Sequence, residues 1–519
     1  MKILHIAALS LFVVCPAADA VTVLSTQQAS NSAASYVQET AVVGHMNASN
    51  VEVTTTAYMQ FEGDRRDIYT VTKTGTSLAV PVRVYPDTTD ASLGDPVLAV
   101  NPWTRRTFLA AIEFPTHTYQ GILNVWYSDN GGMAWVHKLA KRSTTEFIDR
   151  PSIAVSLYSG TPGEIYIAAL AENTRRVQVY RNSSNGEYQN PNVEQYEEVG
   201  SVPVTNSAQS PSIGVDPTTG HIYLFWVDWA TYEIHAAKSA NRGGSFEMLP
   251  SLQLDPGTML TPLFSQTCSV DDTPSCDNIC YGNTCIKADS SIAQRYNTWS
   301  NTFGVVWHQR DPNNLADKTT DIKFAYYHPT AYFWSTPVTV NRFTGGDQWH
   351  PALDFDNHGE YLVTYYDSRD SAPSNFTYRV YATRLDSLGA QIEGDSRVTV
   401  EAATAANLRQ AFDMYSFIKT MGEYHDLWWW NGHWTDSYVF APSGATDEVY
   451  LATLVCLNNL VLANQTITTT QLFDACHTIT ATDLVIGSGG NVTLHAVDLV
   501  TLGSGFRVSL GGRLKVVVP

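Results

Sequence analysis

Arg150-Pro151-Ser152-Ile153-Ala154-Val155 is a short pattern in which a polar residue, a proline and a small residue lead into an apolar strand. Related stretches begin at five further positions, 55 to 79 residues apart: Asp95, Ser210, Asp289, His350 and, more weakly, Tyr424. A polar turn and further short segments rich in β-branched and aromatic residues follow each copy. Short strands at regular spacing with little helical periodicity indicate an all-β fold. About four strands per repeat in a radial array predict a β-propeller.

The number of repeats predicts six blades over residues 79–455. The last repeat supplies only three strands, so we expect the N-terminal side of the chain to add the fourth, for instance Ala79 to Tyr85, which removes an open sheet edge. Residues 21–78 are then an N-terminal segment with strands that packs on the propeller. Because residues 51–74 have strand character of their own, a seventh, irregular blade is the alternative.

Residues 456–519 differ in composition from the repeats. They contain little charge and two glycine turns sixteen residues apart, Ile486-Gly487-Ser488-Gly489 and Leu502-Gly503-Ser504-Gly505. Short apolar strands separated by such turns predict a small solenoid-like β module or stacked hairpins. Surface display and a stabilising cap are the two roles we consider for it.

The first twenty residues have the pattern of an export signal. Lys2 is followed by an apolar run from Ile3 to Val14 and by the small-x-small site Ala18-Asp19-Ala20. The run is shorter than the ~18 apolar residues that span a bilayer, and no later stretch reaches that length. We therefore expect a protein without a transmembrane segment that is secreted or held at the cell surface, as a monomer.

Six cysteines follow the signal, and their even number in an exported chain favours disulfides. Four of them crowd into eighteen residues, where three pairings are open: Cys268, Cys276, Cys280 and Cys285. A zinc knot is the alternative for this cluster. We expect Cys456 and Cys476 to pair with each other.

The formal net charge of −19 argues against nucleic acids and anionic membranes, because both require basic surfaces. Tyrosine (27) and tryptophan (13) are abundant, and such side chains suit strands as well as sugar rings. The expected partner is an extracellular glycan or glycoprotein.

One stretch carries a resemblance to a known family. Ser128-Asp129-Asn130-Gly131-Gly132-Met133-Ala134-Trp135 resembles the Asp-box of sialidase-like (BNR-repeat) β-propellers, and Ser239 to Phe246 is similar to a degraded second copy. Two more stretches are similar to motifs of the bacterial exo-α-sialidase-like group: Tyr366-Asp367-Ser368-Arg369-Asp370 and Gly422-Glu423-Tyr424-His425. The resemblance covers the propeller and not the tail.

The resemblance implies three arginines that bind a carboxylate, an aspartate that acts as acid and base, and a tyrosine nucleophile activated by a glutamate. For the arginines we consider Arg150, Arg310 and Arg369, each of which has a blade-to-blade ion pair as its alternative role. Asp367 and Trp349 complete the predicted substrate-binding set. The family's Arg-Ile-Pro motif is absent, and its nearest match is Asp149-Arg150-Pro151.

Aligning the repeats places the six starting residues in one ring around the central funnel. Asp95 or Asp289 is the candidate acid, and Glu423 with Tyr424 is the candidate nucleophilic pair if the backbone turns between them, since neighbours on a strand point to opposite sides. His350 with Tyr424 permits a second chemistry, the proton abstraction of a polysaccharide lyase.

No cofactor is expected. Asp354, Asp356 and Gly359 are spaced as in a calcium loop, but two aspartates before a glycine are also common turn formers. The sequence therefore predicts a secreted, sialidase-like propeller that acts on extracellular glycans, with glycoside hydrolysis as its chemistry. The alternatives are a non-catalytic propeller that binds glycan or protein and a surface adhesin.

Overall fold

The computed structural model describes residues 21–517 except 31–35, 64, 86–90, 115–119, 185–195, 256–277, 282–283, 311–318, 373–374, 411–417, 443–445, 457–458, 476–477 and 497–498. The predicted export signal, Cys268, Cys276 and Cys476 lie outside the described residues, and so does the side chain of Cys456. The chain divides into two compact units, and the larger one, Val23–Val455, carries all the repeats.

Seven successive antiparallel sheets occupy the described part of the larger unit, and we call them blades 1 to 7. Blade 1 contains Tyr36–Met46, Glu52–Glu62, Arg65–Thr74, Ser77–Leu78 and Val82–Val84. Blade 2 contains Leu93–Asn101, Arg106–Glu113, Gly121–Ser128 and Val136–Ser143. Blade 3 contains Ile148–Val155, Ile165–Ala171, Arg176–Asn182 and Glu197–Pro203. Blade 4 contains Ala208–Val215, Ile222–Asp228, Glu233–Ser239, Glu247–Met248 and Leu252–Gln253. Blade 5 contains Ile292–Asn297, Thr302–Arg310, Thr320–His328, Phe333–Trp334 and Val338–Thr339. Blade 6 contains Gln348–Phe355, Tyr361–Asp367, Thr377–Leu385, Gln391–Arg397 and Ala403–Thr404. Blade 7 contains Asp426–Trp430, His433–Phe440, Glu448–Cys456 and, from the N-terminal side, Val21–Gln28.

The blades form a closed ring. The first strand of each blade packs against the first strand of the next, and that of blade 7 packs against that of blade 1. Second strands such as Arg106–Glu113 and Ile165–Ala171 are buried along their whole length, because neighbouring blades cover both faces. Aromatic side chains fill the spaces between blades, as where Phe225 and Phe303 lie 5.2 Å apart between ring centroids. The all-β prediction is confirmed, and the ring is that of a β-propeller.

The structure differs from the predicted six blades. Residues 36–84 form a complete sheet between blades 7 and 2, so the alternative that counts residues 51–74 in a seventh blade describes the structure. The expected closing strand near Ala79 to Tyr85 is also wrong, because Val82–Val84 pairs with Arg65–Thr74 inside blade 1. The strand that completes blade 7 is Val21–Gln28, which pairs with Glu448–Cys456.

Five first strands share one irregularity. Each has a shift of pairing register at a residue whose φ lies between 44° and 54°, and these residues are Glu39, Asp95, Arg150, Ser210 and His350. A positive φ is unfavourable for residues with a Cβ, so its recurrence at one place in five blades reflects a shared β-bulge. Because a bulge redirects the side chain that it carries, these positions can present polar groups toward the axis of the ring.

A small additional sheet lies outside the blades and consists of Asn278–Tyr281, Thr284–Lys287, Arg409–Gln410 and Ile418–Thr420. The disulfide Cys280–Cys285 joins two residues that are directly paired in its hairpin. The Tyr281 hydroxyl lies 2.9 Å from Asp347 Oδ2 and from Ser368 Oγ, which attaches the sheet to blade 6. The described residues include one helix, the three-residue 3-10 turn Ala405–Asn407, which is far too short to cross a membrane.

An Asp-box aspartate is expected to accept backbone N–H groups across its turn, but in blade 2 an asparagine does so. Asn130 accepts the backbone N–H of Ala134 (2.9 Å), while Ser128 Oγ accepts that of Gly132 (2.8 Å). Asp129 instead forms an ion pair with Arg106 (2.6 Å). In the second copy Asn241 accepts from Ser245 in the same way, so asparagine has the capping role in both turns.

The second unit includes residues 456–519, and its strands are Asn459–Ile467, Thr470–Ala475, Thr478–Ile486, Asn491–Ala496, Leu499–Leu502, Arg507–Val508 and Arg513–Val517. They pair in parallel in two sheets, each strand with one that lies about two strands further along the chain. Parallel pairing of this kind requires a chain that winds in successive turns, whereas stacked hairpins would pair antiparallel.

Candidate active site

A cavity of about 730 Å³ opens where the first strands begin and is lined mainly by blades 1 to 4 and the small sheet. Its ionisable lining residues are Glu39, Arg66, Asp95, Asp149, Arg150, Glu172, Arg175, Lys287, Asp289 and Glu423. The other lining residues are Phe114, Phe147, Asn173, Asn206, Ser207, Gln209, Trp229 and Ala230. Four of the residues chosen from the sequence are therefore brought together here, namely Asp95, Arg150, Asp289 and Glu423.

The bulges connect one blade to the next at the floor of this cavity. Glu39 Oε2 accepts the backbone N–H of Asp95 (3.2 Å), and Asp95 Oδ2 accepts that of Arg150 (3.1 Å). The Arg150 guanidinium in turn donates to Ser210 Oγ (2.9 Å). The bulges of blades 1 to 4 thus hold one another in place, and their side chains form a continuous polar row.

Glu423 lies between two cations. It forms an ion pair with Arg150, and Lys287 Nζ lies 2.5 Å from its Oε1. Asp289 shares both cations, at 3.1 Å from Lys287 and 3.8 Å from Arg150. The small sheet makes this possible, because Thr284–Lys287 and Ile418–Thr420 pair in parallel and so deliver Lys287 and Glu423 to one side.

Gly422 allows Glu423 to approach blade 1. Its φ is +92°, and a Cβ at this position would lie 2.6 Å from the backbone nitrogen of Glu39. A residue with a side chain at this position would force the two backbone segments apart. Glycine therefore permits the close approach of the segments that carry Glu39 and Glu423.

The carboxyl groups of the cavity have pKa values shifted in opposite directions. Burial alone would raise the pKa of Glu423, but Arg150 and Lys287 hold it well below its ordinary value. Burial and the charge of Glu423 raise the pKa of Glu39 to about 7. Burial and Glu39 raise the pKa of Asp95 well above its usual range. The cavity thus contains an ionised carboxylate beside a pair of carboxyls that retain a proton near neutral pH.

Two further carboxyls extend the cluster. Burial raises the pKa of Asp289 to about 6 in spite of Lys287, and burial also raises the pKa of Asp149. Asp149 shares a side-chain hydrogen bond with Asp95. A divergence of pKa values among neighbouring carboxyls is the usual basis of paired acid and base roles.

Tyr424 does not join Glu423 in the cavity. Its side chain lines a second cavity of about 150 Å³ among the first strands, and its hydroxyl lies 3.5 Å from the Pro96 carbonyl oxygen. Burial and the nearby Glu39 raise the pKa of Tyr424 well above its ordinary value. The backbone does not make the turn that a cooperating Glu423–Tyr424 pair requires, and the phenol is not activated as a nucleophile.

His350 occupies its predicted place in the ring of bulges but is buried, and it does not line the large cavity. Neither ring nitrogen has a hydrogen-bond partner among the described residues. Burial, followed by the neighbouring His308, lowers the pKa of His350 well below its ordinary value. The structure does not place His350 as the base of a lyase in the cavity.

The predicted three-arginine cluster does not form in the described structure. Arg369 pairs with Asp367 (2.6 Å) and Asp395 (2.8 Å) and stacks on Tyr381, and neither Arg369 nor Arg310 lines the cavity. Trp349, chosen as a substrate contact, is fully buried against Tyr366 inside blade 6. Arg369, Asp367 and Trp349 therefore stabilise blade 6 rather than contact a ligand in the cavity.

The two aspartates considered for calcium have other partners. Asp354 lies 3.7 Å from Arg295 and accepts the backbone N–H of Trp429, and Asp356 accepts the N–H groups of His358 and Glu360. Asp356 therefore acts as a turn former. No group of three or more metal-binding side chains suited to an ion occurs in the described ranges.

Several residues that line the cavity are not among the candidates predicted from the sequence, although the stretch that begins at Glu39 has a recognisable pattern. Glu39-Thr40-Ala41-Val42-Val43 has the polar, small and apolar order of the repeats and begins 56 residues before Asp95. Lys287, Glu172 and Arg175 carry no comparable mark, because they lie on segments between the first strands of blades.

The chain matches no protein-family model and no curated protein. Among solved structures, a protein of unknown function from Dyadobacter fermentans is 11% identical over 84% of this chain and 99% of its own, with a TM-score of 0.43. The intramolecular trans-sialidase of Ruminococcus gnavus is 11% identical over 69% and 96%, with a TM-score of 0.43. The α-L-arabinanase of Penicillium chrysogenum is 9% identical over 58% and 92%, with a TM-score of 0.35.

Proposed function

We propose that this protein is a glycoside hydrolase that acts on extracellular glycans, with its active site in the large cavity at the start of the first strands. One observation carries the proposal: ion pairs with Arg150 and Lys287 favour the ionised form of Glu423, while burial favours the protonated forms of Glu39 and Asp95 in the same cavity and raises their pKa values. Hydrolysis of a glycosidic bond requires two carboxyl groups in these opposite states.

The roles follow from the protonation states. The protonated Glu39–Asp95 pair donates its proton to the glycosidic oxygen as the bond to the anomeric carbon breaks. Glu423 as carboxylate stabilises the positive charge that develops on the sugar, and it either attacks the anomeric carbon or takes a proton from the attacking water. The reaction uses protein carboxyls and water only, so the proposal includes no cofactor.

The extracellular location is part of the proposal. It is supported by the signal-like residues 1–20 and by the Cys280–Cys285 disulfide, since structural disulfides are typical of oxidising compartments. For the tail, residues 456–519, we propose a solenoid-like module, supported by the parallel pairing of strands in successive turns.

The test is hydrolysis of a panel of aryl glycosides and plant and animal oligosaccharides by the purified protein. We expect at least one substrate to be cleaved by the wild type and the rate to fall strongly in Glu423→Gln. Glu197→Gln is the control, because Glu197 pairs with Arg181 outside the cavity. Cleavage that is equal in wild type and Glu423→Gln removes Glu423 from the reaction. Glycan binding without any cleavage identifies the alternative, a non-catalytic binding propeller.

A further inference from the structure

We propose that the cavity takes an uncharged sugar and discriminates against anionic sugars such as sialic acid; this substrate class rests on the proposed function of the same site. Six carboxyls and four cations line the cavity. The carboxyls outnumber the cations by two, so the lining of the cavity carries no built-in excess of positive charge. A site for an anionic sugar needs an excess of positive charge, which this cavity does not have.

Three of the four cations of the cavity are paired with carboxylates of the same cavity. Arg150 and Lys287 are both paired with Glu423 and Asp289, and Arg175 is paired with Glu172. The Arg66 guanidinium carbon lies 4.1 Å from the centre of the Phe114 ring, with the aromatic face as its neighbour. A carboxylate ligand gains a bidentate contact only from a guanidinium whose two donors face it. Binding an anion at Arg150, Lys287 or Arg175 therefore requires breaking an ion pair of the protein.

The remaining lining groups suit neutral hydroxyls. Asn173 and Asn206 are exposed at the cavity, with Ser207 and Gln209 beside them, and amides and hydroxyls both donate and accept hydrogen bonds. Trp229 is buried and its ring is fixed, because its Nε1 donates to the Ser290 carbonyl oxygen (2.9 Å).

Two more aromatic side chains, Phe114 and Phe147, add apolar surface to the same cavity. Aromatic faces with a few polar groups around them are the usual lining of small-molecule sites, and here they match the apolar faces and hydroxyl edges of a sugar ring. The combination of compensated cations, amides and aromatic faces therefore selects an uncharged sugar.

Substitution of Glu172 tests the proposed preference for uncharged over anionic sugars. It pairs with Arg175 and accepts from Gln209 Nε2 (3.3 Å), so Glu172→Gln keeps a hydrogen-bonding side chain but removes one negative charge and releases the Arg175 guanidinium. Glu197→Gln is the matched control, since it makes the same change in the same blade at an ion pair outside the cavity.

The experiment measures binding of the wild type, Glu172→Gln and Glu197→Gln to matched pairs of immobilised glycans that differ only in terminal sialic acid. We expect the wild type and the control to bind the neutral member at least fivefold better, and Glu172→Gln to reduce that preference at least threefold. Equal or better binding of the sialylated member by the wild type overturns the inference, and so does cleavage of an aryl sialoside at a rate comparable to neutral substrates.

The binding and cleavage readouts separate the two proposals. Preference for neutral glycans without any hydrolysis supports the substrate class and contradicts the hydrolase, whereas hydrolysis of sialosides contradicts only the substrate class. Absence of binding to both members of every pair overturns both.

Discussion

Lys287 and Glu423 are 136 residues apart in the chain, and the ammonium of Lys287 lies 2.5 Å from the carboxylate of Glu423. The strand that ends at Lys287 pairs in parallel with Ile418–Thr420, which lies just before Glu423, and Tyr281 attaches this small sheet to blade 6. The ionisation state of the candidate active site therefore depends on an element outside the blades.

Lys287→Met is expected to shift the pH profile of the reaction. Lys287 is one of two cations that hold the pKa of Glu423 low, so its loss raises that pKa. Neighbouring charges of this kind shift a carboxyl by about 1 to 3 pKa units. The acidic limb of kcat/KM against pH should move upward by about one unit or more. Lys141→Met, which affects an ion pair with Glu198 outside the cavity, serves as the control and should leave the profile in place.

Glu423→Gln is expected to lower kcat by about 10²- to 10⁴-fold, the usual contribution of a positioned acid or base. A second effect follows, because the charge of Glu423 is one cause of the raised pKa of Glu39. The basic limb of the residual activity should therefore move to lower pH. An unchanged basic limb would show that Glu39 does not titrate in the reaction.

Glu39 should contribute a fall in the stability of the propeller as the pH rises from about 4.5 to about 7. Glu39 has a pKa of about 7 in the folded protein and an ordinary value of 4.5, so in this range the native state binds more protons than the unfolded state. Its stabilising contribution is complete below 4.5 and is lost as the pH rises through 7. Thermal unfolding between pH 5 and 8 measures how the free energy of unfolding changes with pH. In Glu39→Gln this pH dependence should be smaller, by an amount that corresponds to the uptake of up to one proton. An equal pH dependence of the free energy of unfolding in wild type and Glu39→Gln would contradict its assignment to Glu39.

Asn130→Ala should destabilise the propeller by about 1 kcal/mol through loss of the bond from the Ala134 N–H. Asp129→Ala should cost less, since its side chain is 60% exposed and forms only a surface ion pair. Thermal midpoints of the two variants compare them directly. A larger loss of stability in Asp129→Ala than in Asn130→Ala would assign the main structural role in this turn to the aspartate.

The sequence predicts a ring of blade-starting residues because one local pattern recurs at them, and the structure places four of these residues at bulges. Asp95, Arg150, Ser210 and His350 were aligned correctly, since a polar residue before a small one marks each bulge. The repeat says where a residue lies around the axis but not which cavity its side chain enters. Arg150 enters the large cavity, while Tyr424 lies in the smaller one and His350 is buried.

Other features depend on long-range pairing and had no local mark. The approach of Lys287 to Glu423 follows from a parallel pairing of two short strands that are separated by two blades. Arg369 was chosen as a ligand contact because of its motif, but Asp395, which lies 26 residues further on, pairs with it in blade 6. Motifs identify residue types, whereas their partners are set by the packing of distant strands.

The closing of blade 7 by Val21–Gln28 has a consequence for folding. Ser25 donates to Thr453 Oγ1 (3.2 Å) across 428 residues of sequence, so the ring closes through one of the most distant contacts in the chain. Contacts of such separation form slowly. Until they form, Glu448–Cys456 presents an unpaired edge, which is a template for pairing with other chains. The nascent propeller is therefore most prone to aggregation just before its two ends meet, and loss of residues 21–28 would make that vulnerable intermediate permanent.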